Sequence, residues 1–141
     1  MSYKEFKDDH GFLRKEWRNE LGQFHREDGP AEIICYNDGE TLLEAFWLNG
    51  FRHRDFGPAQ IRYYLDGSIE QEAFYVSGIS QRELGPAQIC YEPDGSIKWE
   101  YFSIDGESLG YNKVGFWAFW NLLTEEQRQA PSILKYLARF S

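Results

Sequence analysis

The sequence predicts a mainly β fold: a single-layer, twisted antiparallel β-meander of repeated hairpins, closed by a short C-terminal α-helical cap. Three observations carry that reading: an internal repeat, strand-type patterning within each copy, and a change to helical spacing near the end. Shifting the chain against itself by 28 residues superimposes Gly29, Gly57 and Gly85, then Asp38-Gly39, Asp66-Gly67 and Asp94-Gly95, then Glu44, Glu72 and Glu100, and finally Phe46, Phe74 and Phe102. Self-similarity at such a period is the signature of a stacked architecture, in which each unit buries its apolar surface only against its neighbours.

Each copy divides into two strands. "AQIRYY" and "SIEQEAFYV" are rich in β-branched and aromatic residues and lack a helical period. The link between them, "EPDGS" in the third copy, offers Pro93 to a type I turn and Gly95 to the position that needs φ > 0. Asn49-Gly50, Ser77-Gly78 and Asp105-Gly106 suit a second reversal, after which "FRHRDFGPA" leads into the next copy with a kink expected at Gly57-Pro58. The same register extends back to Gly11, Glu16 and Gly22 and forward to Gly106, so degenerate half-copies flank three full ones. The domain reading is one unit. Residues 1–110 form the sheet, with a half-repeat at 1–28 and copies near 29–56, 57–84 and 85–110, and residues 111–141 form the cap.

Alternation assigns the faces. Ala31, Ile33 and Cys35 align with Ala59, Ile61 and Tyr63 and with Ala87, Ile89 and Tyr91, a row expected to be buried. Cys35 and Cys90 have opposite parity and should lie on opposite faces, too far apart for a disulfide. In the last segment Phe116, Phe119, Trp120 and Leu123 are at helical spacing, Thr124 to Gln127 reads as a capping box, and Pro131 can open a further helix carrying Ile133, Leu137 and Phe140. These helices are expected to close the end of the sheet, because "IKWEYFSID" has no later strand of similar pattern to pair with.

A formal net charge of −8 disfavours direct binding of nucleic acid or an anionic membrane, since phosphates would meet a negative field. No apolar run approaches the roughly 20 residues of a membrane span. The alternating charges of "MSYKEFKDDHGF" do not read as a secretory leader, which places the chain in the cytoplasm of its cell or of an infected host cell.

The stretch "NGFRHRDFGPAQIRYYLDGSIEQEAFYVSG" resembles the variant MORN-type repeats of many bacterial, phage and large-virus proteins, in which "HR..GPA" alternates with "DG....E.Y". The resemblance spans about the first three-quarters of the chain and implies an extended β-meander that acts as a protein-interaction scaffold. Some bacterial members of that group are antitoxin components. It brings no catalytic residues and no cofactor.

Among polar elements, His25-Arg26 and His53-Arg54 recur, with Gln81-Arg82 in the third copy. A row of this kind could bind an anion or an acidic partner, but presence in every copy favours a stacking role, each Arg pairing with a repeated Glu such as Glu44 or Glu72. The glutamate row itself reads as a structural ladder rather than as catalytic carboxylates, the histidines do not match a zinc site, and no nucleophile signature surrounds either cysteine. Residues that differ between copies are freer to carry function. Trp47, Arg62 and Trp99 are candidate protein-binding residues with His53 and Arg54, the alternative being that the helical tail covers the two indoles. The chain is therefore expected to be a non-enzymatic protein-protein interaction module. The second reading is a phage- or mobile-element-type inhibitor or antitoxin whose acidic surface binds a basic cleft.

Overall fold

Asp38-Gly39, Asp66-Gly67 and Asp94-Gly95 each close a hairpin in the computed structural model, which describes residues 1–141. In the third turn the Gly95 amide donates to the Glu92 carbonyl at 2.9 Å, and Asp94 Oδ1 accepts from the Ser96 amide at 2.9 Å. Gly95 sits at φ +89, the left-handed region that an L-residue with a Cβ enters at a cost. Pro93 occupies the position whose fixed φ suits the turn.

These turns join β3 (Glu32–Cys35) to β4 (Thr41–Ala45), β7 (Gln60–Tyr63) to β8 (Ile69–Ala73), and β11 (Gln88–Tyr91) to β12 (Ile97–Ile104), after an opening hairpin of β1 (Ser2–Lys7) and β2 (Leu13–Arg18). The second reversal of each inner copy builds a small ribbon beside the main sheet: β5 (Trp47–Leu48) with β6 (Phe51–Arg52), and β9 (Tyr75–Val76) with β10 (Ile79–Ser80). Asn49 and Gly50, at φ 50 and 82, make the left-handed pair of a two-residue turn. The run read as one strand, "SIEQEAFYV", is thus two. At Phe74 the chain leaves the sheet, its amide donating forward to Ala87 at 2.7 Å and its carbonyl accepting from Gln81 at 3.0 Å.

The main sheet has nine strands in the order β1-β2-β3-β4-β7-β8-β11-β12-β13, all antiparallel neighbours, as a meander requires. Its last strand is β13 (Glu107–Tyr111), paired to β12 through Ile104↔Glu107 and Tyr101↔Tyr111. The expectation that "IKWEYFSID" lacks a strand partner is therefore corrected. "ESLGY" has two polar residues and Gly110 and carries little strand signal of its own; the Asp105-Gly106 reversal is what returns it to β12.

A second correction concerns Glu16. One extra residue in the loop after β2 shifts the half-copy, so that Trp17, whose carbonyl accepts from His25 at 3.0 Å, takes the place that Phe46 holds toward His53 at 3.0 Å. Lys15 then lies opposite Ile33, and Glu16 pairs across to Glu32 on the other face, outside the glutamate row.

Cross-strand pairs define the two faces. One carries Ile33, Glu44, Ile61, Glu72, Ile89 and Glu100; the other carries Glu32, Leu43, Arg62, Gln71, Cys90 and Trp99. Ala31, Ala59 and Ala87 are fully buried. Cys35 and Cys90 are free and on opposite faces.

Helices α1 (Asn112–Trp120), α2 (Glu125–Arg128) and α3 (Pro131–Phe140) fold back over the first face at β12 and β13. The capping box at Thr124 and Gln127 forms, and Pro131 opens α3. Phe116, Phe119, Leu123, Ile133 and Tyr136 surround Phe102, and each fully buried ring stabilises this core by roughly 1.5–3 kcal/mol. No helix is long and apolar enough to cross a membrane.

Candidate functional site

The recurring arginine does not pair with the recurring glutamate, which corrects the Arg–Glu expectation. Arg54 lies over the ring of Phe46 at 4.0 Å and Arg82 over Phe74 at 4.1 Å, and Arg26 lies over Trp17 at 3.9 Å. Arg54 also donates to the Pro58 carbonyl at 3.1 Å, as Arg26 does to Pro30 at 3.2 Å. A guanidinium prefers a π face and a planar acceptor to full hydration here, because both can be met at once. This explains the glycine of "GPA". A Cβ on Gly85 would stand 3.0 Å from Arg82 Nη1, and one on Gly57 3.2 Å from Arg54 Nη1. Gly57 alone of the three adds a positive φ, +109, so the requirement shared by all copies is room for the guanidinium.

The histidine and the glutamate each serve the neighbouring copy. His25 Nδ1 accepts the amide of Asn49 and His53 Nδ1 that of Ser77, both at 3.0 Å and both 24 residues on, and Gln81 Oε1 accepts that of Asp105 at 3.0 Å. Glutamine supplies the same acceptor as histidine, while His53 Nε2 also meets Asp55 Oδ1 at 2.7 Å, a surface contact that Gln81 does not make. Glu44 and Glu72 accept the phenols of Tyr63 and Tyr91 at 2.5 Å. Burial and that carboxylate push both phenols far above the ordinary tyrosine range. Tyr36 and Tyr64 bridge at the opposite margin, donating to the carbonyls of Tyr63 and Tyr91 at 3.1 and 2.7 Å.

The third copy has no successor, and the C-terminal segment supplies what one would have provided. Glu100, fully buried, meets Arg139 of α3 in place of a tyrosine. Phe102 is covered by Phe119 at 5.4 Å and Phe116 at 6.0 Å in place of an arginine. The Glu100 amide donates to Asn112 Oδ1 at 3.0 Å.

The five candidate interface residues divide. His53 and Arg54 are engaged inside the repeat, as described. Arg62 and Trp99 share the face away from the helices, separated by Gln71 and Cys90 across β7, β8, β11 and β12. Trp99 meets Tyr111 edge-on at 5.5 Å, and Arg62 makes no ion pair. Trp47, on its ribbon, stacks between Phe24 at 5.2 Å and Arg52 at 5.1 Å. The tail therefore covers none of these three; it covers Phe102. Near Trp47, burial pushes the Glu32 carboxyl upward against the pull of Arg14, 3.7 Å away. Burial likewise pushes the Cys90 thiol up, the reverse of what an activated nucleophile needs.

A residue that sequence reasoning passed over is Phe56, 90% exposed in the connection before Gly57. Repeat alignment carried the signal: Asp28, Phe56 and Leu84 occupy one position. Phe56 is among the residues lining a groove of about 670 Å3, with Arg54, Phe74, Arg82, Glu83 and Ser132 of α3. A separate cavity is lined by Glu72, Phe74, Arg82, Tyr91, Lys135 and Tyr136. No family model, curated protein or solved structure matches this chain.

Proposed function

We propose that this chain is a protein-binding module in which the repeat builds a rigid sheet and the departures from the repeat make the contacts. One observation carries this reading. The recurring polar side chains are spent on holding copies together, whereas Phe56 and Arg62 are left without an intramolecular use. Phe56, 90% exposed and lining a groove, is an aromatic side chain placed to anchor a partner. The resemblance to variant MORN-type repeats supports the same scaffold reading.

A second reading, an inhibitor or antitoxin that engages a basic cleft, is favoured by the carboxylates at the hairpin tips. Asp38, Glu40, Asp66, Glu92 and Asp94 recur along one margin, each hairpin advancing the row by about 10 Å. Such a partner would be lost steeply as salt rises, and an apolar contact would not.

The test is affinity capture from host extract with quantitative mass spectrometry. Wild-type bait and the variants Phe56→Asp and Arg62→Glu are run at about 50 and 500 mM salt. A protein retained by wild type and lost with at least one variant is expected. Retention no better than on an unrelated domain of equal charge would overturn the reading.

A further inference from the structure

We infer that His25 and His53 make the two lateral ribbons acid-sensitive, and that Gln81 spares the capped end of the sheet the same response.

Each ribbon tip is tied to the copy before it by two bonds. One is purely backbone: the Gly50 amide donates to the Phe24 carbonyl at 2.9 Å, and the Gly78 amide to the Arg52 carbonyl at 2.8 Å. The other ends on an imidazole. His25 Nδ1 accepts the Asn49 amide and His53 Nδ1 the Ser77 amide, both at 3.0 Å. A backbone N–H only donates, so Nδ1 carries no proton while the tie stands. The single ring proton is then on Nε2, which lies 2.7 Å from Asp55 Oδ1 in His53 and 3.8 Å from Glu27 Oε1 in His25.

A second proton has one place to go. With Nε2 already protonated, uptake falls on Nδ1 and sets an N–H against an N–H, which breaks the tie. The carboxylates attract the added charge without competing for Nδ1, because each sits at the other nitrogen. Carboxylates also dominate the surroundings of both rings. Glu20, Asp28 and the Met1 terminus share a cavity with His25 and Glu27, and Glu27 and Asp28 line the one beside His53 and Asp55. The cations there, Arg26 and Arg54, are turned onto Trp17 and Phe46. The sign follows from the acceptor. The tie is present where the ring is neutral and is lost as pH falls through the ring's own titration.

The third tie has the same geometry without a titrating group, since Gln81 Oε1 accepts the Asp105 amide at 3.0 Å. That reversal joins β12 to β13, the strands on which α1 packs. Acid therefore loosens the ribbons that carry Trp47 and Tyr75 and leaves the capped hairpin closed. Arg52 bridges those two rings, at 5.1 Å from Trp47 and 5.4 Å from Tyr75, so both ribbons meet at one cation.

The test is NMR on the full, 15N-labelled chain, titrated from about pH 8 to pH 5, the range in which an imidazole ordinarily changes charge. Ring nitrogens report protonation of each histidine. Amide exchange, corrected for its intrinsic pH dependence, reports each tie. Protection at Asn49 and Ser77 should fall by about tenfold with the midpoints of His25 and His53, while Asp105 stays within about twofold. The double variant His25→Gln with His53→Gln, which copies the arrangement at Gln81, should keep all three amides level across the range. Exposed His10 is common to both proteins and cancels. If the double variant fails to fold, wild type alone decides, because Asp105 is an internal control.

Protection that holds at Asn49 and Ser77 while the rings take up protons would overturn the inference. So would rings that stay neutral until the protein unfolds in acid, an equal fall at Asp105, or a folded double variant that keeps the response.

Discussion

Gln81 accepts the amide of Asp105 through Oε1 at 3.0 Å, in the place where His53 accepts the amide of Ser77 through Nδ1 at the same distance. Two chemically different side chains thus satisfy one backbone donor, the first residue of a two-residue reversal. His53→Gln is therefore expected to leave urea stability unchanged within about 0.5 kcal/mol, whereas His53→Leu removes the acceptor and should cost about 1 kcal/mol. Equal loss in both variants would mean that the imidazole is needed for something else.

Tyr63 and Tyr91 give the fold an alkaline limit. Their phenols are pushed far above the ordinary value of about 10 by burial and by Glu44 and Glu72. A raised folded value means stability that is fully present below the unfolded pKa and is lost as pH rises through the folded one. Absorbance at 295 nm should show these two phenols ionising only as the protein unfolds. Tyr91→Phe should remove that coupling and cost about 1 kcal/mol at neutral pH, the size of one hydrogen bond to a half-exposed carboxylate.

At Gly57 two demands coincide, φ +109 and the Arg54 guanidinium 3.2 Å from any added Cβ. Gly67, at φ +88, has open space around it, and asparagine tolerates the left-handed region. Gly57→Val should lower the melting temperature well below that of Gly67→Asn. Equal temperatures would contradict the packing of guanidinium against glycine.

Glu100 and Arg139 form the ion pair that ends the glutamate row. Glu100 is fully buried, so Arg139→Ala should cost roughly 3–5 kcal/mol by leaving a carboxylate unpaired. Adding Glu100→Gln should restore part of that loss. Removing Phe116 to Ser141 altogether exposes Phe102 and Glu100 together and should give an aggregating remnant. A monomeric truncated chain that unfolds cooperatively would mean that the helices are not part of the core.

The repeat, the turns and the helical stripe were legible in the sequence because each depends on local signals: Asp-Gly pairs, alternation, and a capping box at Thr124. The partners of the repeated polar residues were not, since they are set by three-dimensional spacing. Arg54 is ten residues from Glu44 and eight from Phe46, and nothing in that interval says which one the side chain meets. The one-residue offset that moves Glu16 to the far face is hidden for the same reason, because a slip in a strand inverts every side chain while leaving composition unchanged. Phe56 was visible as a departure from Asp28, but its exposure depends on where the helices stop, at Leu84.

The division between a scaffold built from the repeat and a function carried by its departures is tested most directly by pairing two readouts on Phe56→Asp and Arg54→Ala. For each variant, the melting temperature and the captured host protein are measured together. Phe56→Asp should melt within about 2 °C of wild type and lose the partner, because an exposed ring contributes little to folding. Arg54→Ala should melt several degrees lower and, where folded, keep the partner. The reverse pattern, with Arg54→Ala stable but unable to bind and Phe56→Asp binding as wild type, would contradict that division.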